Sequence, residues 1–241
     1  MFKYVFVGPE KWGADFPVAN GPRQSPINIV PKEAQYDSTL KSLKLKYDPS
    51  NAKGILNNGH SFQVDYEDDA NSSILTGGPI SGTYRLKQFH FHWGASDDRG
   101  SEHTVNGINF TWCTGTLSTP ALERQPASLM ALQWGGLPQD RCANPRLQKG
   151  KQTVFANFDP KTLLPGSLDF WTYDGSLTTP LCWRASAGSS SRSQSVSTQY
   201  RCMARFRGLL FTGEGEAPCC MVDNYRPPQP LKGRQVRASF K

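Results

Sequence analysis

Polar and apolar positions alternate with a period of two over several short stretches of this chain, and no stretch sustains a helical period. Leu43-Lys44-Leu45-Lys46-Tyr47 alternates cleanly, as a strand with one solvated face does. In the run Ile55 to Tyr66, Phe62, Val64 and Tyr66 share one face, with His60 at its start. The acidic Glu67-Asp68-Asp69 and a Gly77-Gly78-Pro79 turn then lead into Thr83 to Trp93. There Phe89, Phe91 and Trp93 point one way while His90 and His92 point the other. An aromatic face needs a core. Two imidazoles on one face suit a metal, although two polar residues on a wet strand face have the same spacing.

The bulk composition agrees with a mainly β chain. Gly (22) and Pro (18) are frequent in the 241 residues and charged residues make up 20%, which favours strands joined by turns and irregular loops. The turn-rich residues 8–29 carry Trp12 and Phe16 as packing anchors. No apolar run approaches the roughly 20 residues that cross a bilayer, and the opening Met1 to Val7 is too short for a secretory signal. The expectation is a cytoplasmic protein with no membrane partner. Six cysteines stand at 113, 142, 182, 202, 219 and 220 without a zinc-ribbon spacing, so reduced thiols are expected. The formal charge of +7 comes from scattered basic residues, with only a loose cluster at Lys232, Arg234, Arg237 and Lys241. No aromatic-interleaved basic stripe accompanies them, so they read as a solvated surface and not a nucleic-acid site. Nothing argues for an oligomer, and a monomer is the default.

The segments GPRQSPINI, LNNGHSF, QFHFHWG, GSEHTVNG, FWTYDGSLTTP and MVDNYRPPQPLKGRQVRASF resemble the α-class carbonic anhydrases of animals, most like the soluble vertebrate forms. The resemblance covers roughly residues 8–110, 143–180 and 203–241. It implies a single domain, residues 1–241, around a large, twisted, mostly antiparallel central sheet with short peripheral helices. It also implies a Zn²⁺ cofactor and the reversible hydration of carbon dioxide to bicarbonate and a proton, by attack of zinc-bound hydroxide on CO₂. In that family three histidines hold the metal; His90 and His92 match the first two. Gln88 matches a residue that fixes a ligand tautomer, and Asn224 another group that supports the ligands. Thr178 matches the acceptor of the hydroxide's hydrogen bond and Glu102 the carboxylate that orients it. Leu177 and Thr179 match substrate-contacting positions, and His60 matches a proton shuttle whose ordinary pKa of about 6.5 suits transfer near neutrality. Taken singly, His60, Glu102, Thr178 and Thr179 have ordinary structural readings; their joint order and spacing is what points to the site.

The pattern breaks at the third ligand. Counting on from Ser101-Glu102-His103-Thr104-Val105 and Phe110, the family places Glu at 113 and His at 115, where this chain has Cys113 and Gly115. Its four histidines are 60, 90, 92 and 103, so none is spare. Cys113 would share a strand face with position 115, but two residues away, nearly 7 Å at about 3.3 Å per residue. It could become a substitute ligand only if the register slipped. Residues 111–142 lose strand alternation, and the join Lys149-Gly150 skips a helix-bearing segment of the family. Disruption of the sheet is expected at 111–142 and 181–202. These features predict an impaired enzyme, with a catalytically inactive carbonic anhydrase-related binding protein or a non-functional product as the alternatives.

The genetic code supplies a reason. Codons CAC CTG GTG CAC TGG encode His-Leu-Val-His-Trp, the run expected around the third ligand; read one base later they encode Thr-Trp-Cys-Thr-Gly, which is Thr111 to Gly115. Likewise CCT CTG CTG GAG AGC GTC, for Pro-Leu-Leu-Glu-Ser-Val, yields Leu181 to Ser186 in another frame. Sequencing the transcript across codons 110–143 is expected to reveal a one-base shift; an intact frame encoding Cys113 and Gly115 rejects it.

Overall fold

The computed structural model describes residues 8–110, 112–115, 144–179, 184–186 and 199–241. Among these, the largest sheet has five strands, in the spatial order Trp112–Gly115, Gln88–Trp93, Phe62–Tyr66, Ala52–Asn57 and Gln152–Val154, every neighbouring pair antiparallel. Smaller sheets surround it. Leu43–Lys46 pairs with Ile74–Gly77, and Trp171–Thr172 with Arg237–Ala238, both antiparallel. Helical structure is short, the longest described helix being Gln199–Phe206. The mainly β, mostly antiparallel architecture expected from alternation is what the chain adopts.

One face of the central sheet makes the core. Phe62, Val64 and Tyr66 are all buried, and so are Phe89, Phe91 and Trp93 of the adjacent strand. Phe62 stacks on Phe91 at 5.1 Å between ring centroids, and Phe206 of the helix lies 4.8 Å from Phe62 and 5.5 Å from Trp93. Fully burying such side chains contributes about 1.5–3 kcal/mol each. The Trp93 indole N–H would otherwise be stranded in this apolar layer; it donates to the Met221 carbonyl at 2.7 Å.

Alternation misplaces His60. The strand begins at Phe62, and His60 lies in the preceding turn, so it is not bound to the Phe62 face. The turn is held by asparagines. Asn58 Oδ1 accepts from the backbone N–H of His60 (3.0 Å) and Ser61 (2.8 Å), and Asn57 Oδ1 from that of Gly59 (2.9 Å). Gly59 sits at φ +87°, a conformation that side chains rarely adopt, which favours glycine there; a Cβ would also push the flexible Lys149 side chain aside.

Within the segments expected to be disrupted, Trp112–Gly115 pairs with Gln88–Trp93, and Arg184–Ser186 pairs with Asp174–Ser176. Main-chain pairing with a formed neighbour outweighs poor alternation there. The remainder of 111–142, and residues 181–183 and 187–198, lie outside the described residues. The cysteines also depart from expectation: Cys220 is disulfide-bonded, while Cys219 is free.

His103 belongs to a buried polar chain. Its Nε2 lies 2.6 Å from the Tyr173 hydroxyl, which lies 2.8 Å from Ser25 Oγ. Burial lowers His103 from 6.5 to about 4, so the fold prefers the neutral ring. This stability is fully present above pH 6.5 and is lost as pH falls towards about 4. In urea titrations at pH 7 and pH 4.5, His103→Gln is expected to lose less stability on acidification than the unsubstituted protein; an equal loss would exclude His103 as a contributor. Phe91→Ala, which empties the centre of the aromatic layer, is expected to cost about 3–5 kcal/mol in the same measurement.

Candidate functional site

The opposite face of Gln88–Trp93 carries the imidazoles, and it too is enclosed: His90 is 5% and His92 2% exposed. On one side Gln63 is paired with His90 and Asp65 with Gln88. On the other, Gly115 is paired with His90 and Cys113 with His92. Residues directly opposite in an antiparallel pair share a face, so Gln63 and Asp65 lie on the imidazole side.

Hydrogen bonds set the tautomers. His92 Nδ1 lies 2.7 Å from the Asn224 backbone carbonyl. A carbonyl only accepts, so Nδ1 carries the proton and Nε2 keeps its lone pair. That Nε2 is buried and has no hydrogen-bond partner among the described residues. Leaving such an atom unsatisfied costs about 1–3 kcal/mol, and coordination to a metal would satisfy it. His90 Nδ1 is 3.1 Å from Gln88 Oε1, which gives the same tautomer, and the two rings lie 5.0 Å apart. Burial first, then the neighbouring His92 and His60, holds His90 well below its ordinary pKa, in the neutral form that binds metals.

Asn224 does more than hold one ring. Its Oδ1 accepts from the Trp93 N–H at 2.7 Å, and its Nδ2 donates to the His60 carbonyl at 2.9 Å. It therefore ties the end of the histidine strand to the His60 turn.

Glu102 is buried at 4% exposure. Its Oε2 accepts from the Thr178 hydroxyl at 2.8 Å and its Oε1 from the Arg226 N–H at 3.2 Å; His92 Nδ1 lies 3.5 Å from Oε1. A carboxylate only accepts, so it consumes the one hydroxyl proton of Thr178. Thr178 Oγ1 can then only accept from another group. Leu177 and Thr179 flank it, both half-buried, just beyond the strand Asp174–Ser176.

His60 stands near this set but with altered acidity. Burial, and then the charges of His92 and Lys149, lower it from 6.5 to about 4, against the expectation of titration near neutrality. The join at Lys149-Gly150 explains the cation: Gly150 N–H donates to the Asn57 carbonyl at 2.8 Å, which carries Lys149 to the His60 turn.

Phe62–Tyr66 has a second face, which alternation defines as well as the first. Gln63 and Asp65 line the imidazole side, linked by a 2.7 Å bond from Gln63 Nε2 to Asp65 Oδ1. Their period-two spacing held the signal. The Arg226 backbone N–H on Glu102 carried none, since any residue but proline supplies it.

For zinc, two imidazole donors fit: each has its Nδ1 hydrogen-bonded, and the Nε2 of His92 has no hydrogen-bond partner among the described residues. Position 115, opposite His90, is a glycine and supplies none. A separate group of ligand-type side chains, Glu67, Asp68 and Asp69, is a surface acidic cluster, and Lys53 pairs with Glu67 at 2.6 Å.

The sequence pattern of the eukaryotic-type carbonic anhydrase family matches residues 7–112 and 144–240. The gap falls on the segment where alternation fails, whereas 181–202 lies inside the matched region. Carbonic anhydrase 1 of Mus musculus is 45% identical over 251 aligned residues, spanning 97% of this chain and 95% of that protein. On these matches, together with the sheet that sets paired histidines behind an aromatic layer, the chain belongs to the eukaryotic-type carbonic anhydrase family.

Proposed function

We propose that this chain, as one domain over residues 1–241, binds Zn²⁺ through His90 and His92 and serves the reversible hydration of CO₂ to bicarbonate with a weakened metal centre. The observation that carries this reading is the buried His92 Nε2, a lone pair without a partner among the described residues. When bound, zinc supplies Lewis acidity, which makes hydroxide available near neutral pH. Gln88 and the Asn224 carbonyl hold the rings so that both Nε2 atoms are donors. Glu102 takes the Thr178 proton and leaves Thr178 able only to accept, which selects the orientation of a hydroxyl-bearing nucleophile beside it. Leu177 and Thr179 would form the adjoining wall for CO₂ and bicarbonate. His60 accepts a proton from this site and passes it outward, slowly, because a group with a pKa of about 4 is poorly matched to proton transfer at neutral pH.

Gly115 opposite His90 favours a second reading, a catalytically inactive carbonic anhydrase-related protein. Zinc content per purified chain and a CO₂-hydration assay separate the two. Measurable zinc with turnover supports the enzyme; folded, zinc-free and inactive protein supports the second reading. Gly115→His, which returns an imidazole opposite His90, is expected to bring zinc to about one ion per chain and to raise the hydration rate at least tenfold, since losing even an outer partner of a metal ligand costs about 10–100-fold in affinity or activity. No gain in either quantity counts against His90 and His92 as a zinc site.

A further inference from the structure

We propose that Asn106 is a site of self-modification: attack by the Gly107 backbone nitrogen converts its carboxamide to aspartate or isoaspartate, and Asn28 holds that attack in check. Val105-Asn106-Gly107-Ile108 closes a two-residue hairpin, in which the Ile108 N–H donates to the Val105 carbonyl at 3.0 Å. Asn106 and Gly107 sit at φ +52° and +76°, the paired left-handed geometry of a type I′ turn. Asn and Gly adopt that geometry at least cost. The turn therefore selects a dipeptide prone to cyclise, because glycine has no side chain to keep its nitrogen from the asparagine carboxamide.

Asn-Gly occurs three times in the chain, and the fold treats the three differently. Asn58 is fixed: its Oδ1 accepts from His60 and Ser61, and the Gly59 N–H donates to Asn57 Oδ1. Asn20 packs its amide against Gly13, leaving no room there for a Cβ, and the carbonyls of Asn20 and Gly21 both accept from Lys232. Asn106 is exposed, with no hydrogen bond to its carboxamide among the described residues. Nothing lies within 4 Å of where a Cβ on Gly107 would stand. The Asn106 side chain is free to rotate onto the next peptide nitrogen.

The chemistry balances without a cofactor. Gly107 N bonds to Asn106 Cγ while the Cγ–Nδ2 bond breaks, and the Gly107 proton leaves with Nδ2 as ammonia. Water then opens the cyclic imide at either carbonyl, giving aspartate or isoaspartate, and no electrons are exchanged. Attack requires the Gly107 nitrogen to give up its proton, and that proton is engaged: the N–H donates to Asn28 Oδ1 at 2.8 Å. The same Oδ1 accepts from Thr104 Oγ1 at 2.8 Å, and the Asn106 N–H donates to the Ile29 carbonyl at 2.9 Å. The parallel pair of Asn28–Ile29 with Thr104–Val105 thus clamps the turn. Conversion adds a negative charge, and the isoaspartate form also lengthens the backbone inside the hairpin.

The full chain, aged at mildly alkaline pH and mapped by peptide mass spectrometry with enzymatic isoaspartate labelling, tests this. Asn106 is expected to convert several times faster than Asn20 or Asn58, and the three rates to converge in urea. Asn28 is exposed, so Asn28→Ala removes the acceptor without emptying the core. It is expected to speed conversion at Asn106 severalfold and to leave the other two sites unchanged. Asn28→Asp, which keeps an acceptor oxygen, is expected to stay at the parent rate. Asn20 or Asn58 converting first in the folded protein overturns the site. An unchanged rate at Asn106 in Asn28→Ala, or equal acceleration at all three positions, overturns the clamp.

Discussion

Two neighbouring imidazoles enclosed on one face of a strand create an obligation that organises the rest of the site. Each ring presents two nitrogens, and burial leaves no water to satisfy them. Gln88 and the Asn224 carbonyl take the Nδ1 side of each, which leaves the protons there and a lone pair on each Nε2. The supports come from far along the chain. Residues 221–226 provide the Met221 carbonyl to the Trp93 indole, all of Asn224, and the Arg226 N–H to Glu102. This stretch also orders the aromatic face, because the same Trp93 that anchors the core receives Asn224 on its backbone. Core and site are therefore two sides of one strand, and a disturbance of either reaches the other.

Glu102 is the second node. A buried carboxylate is costly unless its lone pairs are used. Here one oxygen takes a hydroxyl, and the other takes a backbone N–H beside an imidazole. The Arg226 guanidinium that accompanies that N–H is itself spread over the Gln24 side chain and the carbonyls of Ser25 and Ala19. The chain's early loop thus helps to fix the carboxylate, and through it Thr178.

Side-chain alternation revealed what depends on a regular period. The faces of Phe62–Tyr66 and Phe89–Trp93 follow from spacing alone, and so does the pairing of two imidazoles. It failed at His60, because Asn57, Asn58 and Gly59 build a turn whose bonds run from side chain to backbone and carry no periodic signal. The family resemblance supplied Glu102, Thr178 and Asn224, which lie far apart in sequence and meet only through folding. It did not supply the low pKa of His60, whose causes are burial first and then the charges of His92 and Lys149. Nor could spacing foretell that Trp112–Gly115 would pair at all, since alternation is absent there and the register is dictated by the partner strand.

That last point separates geometry from chemistry. Strand pairing is written in main-chain hydrogen bonds, and these are indifferent to whether residue 115 is histidine or glycine. The register places residue 115 opposite His90 whatever side chain it carries. A shifted reading frame that preserves an extended backbone can therefore keep the scaffold of a metal centre while replacing its donors. The register of Trp112–Gly115 against Gln88–Trp93 and the glycine at position 115 are therefore separate facts, one of backbone and one of side chain.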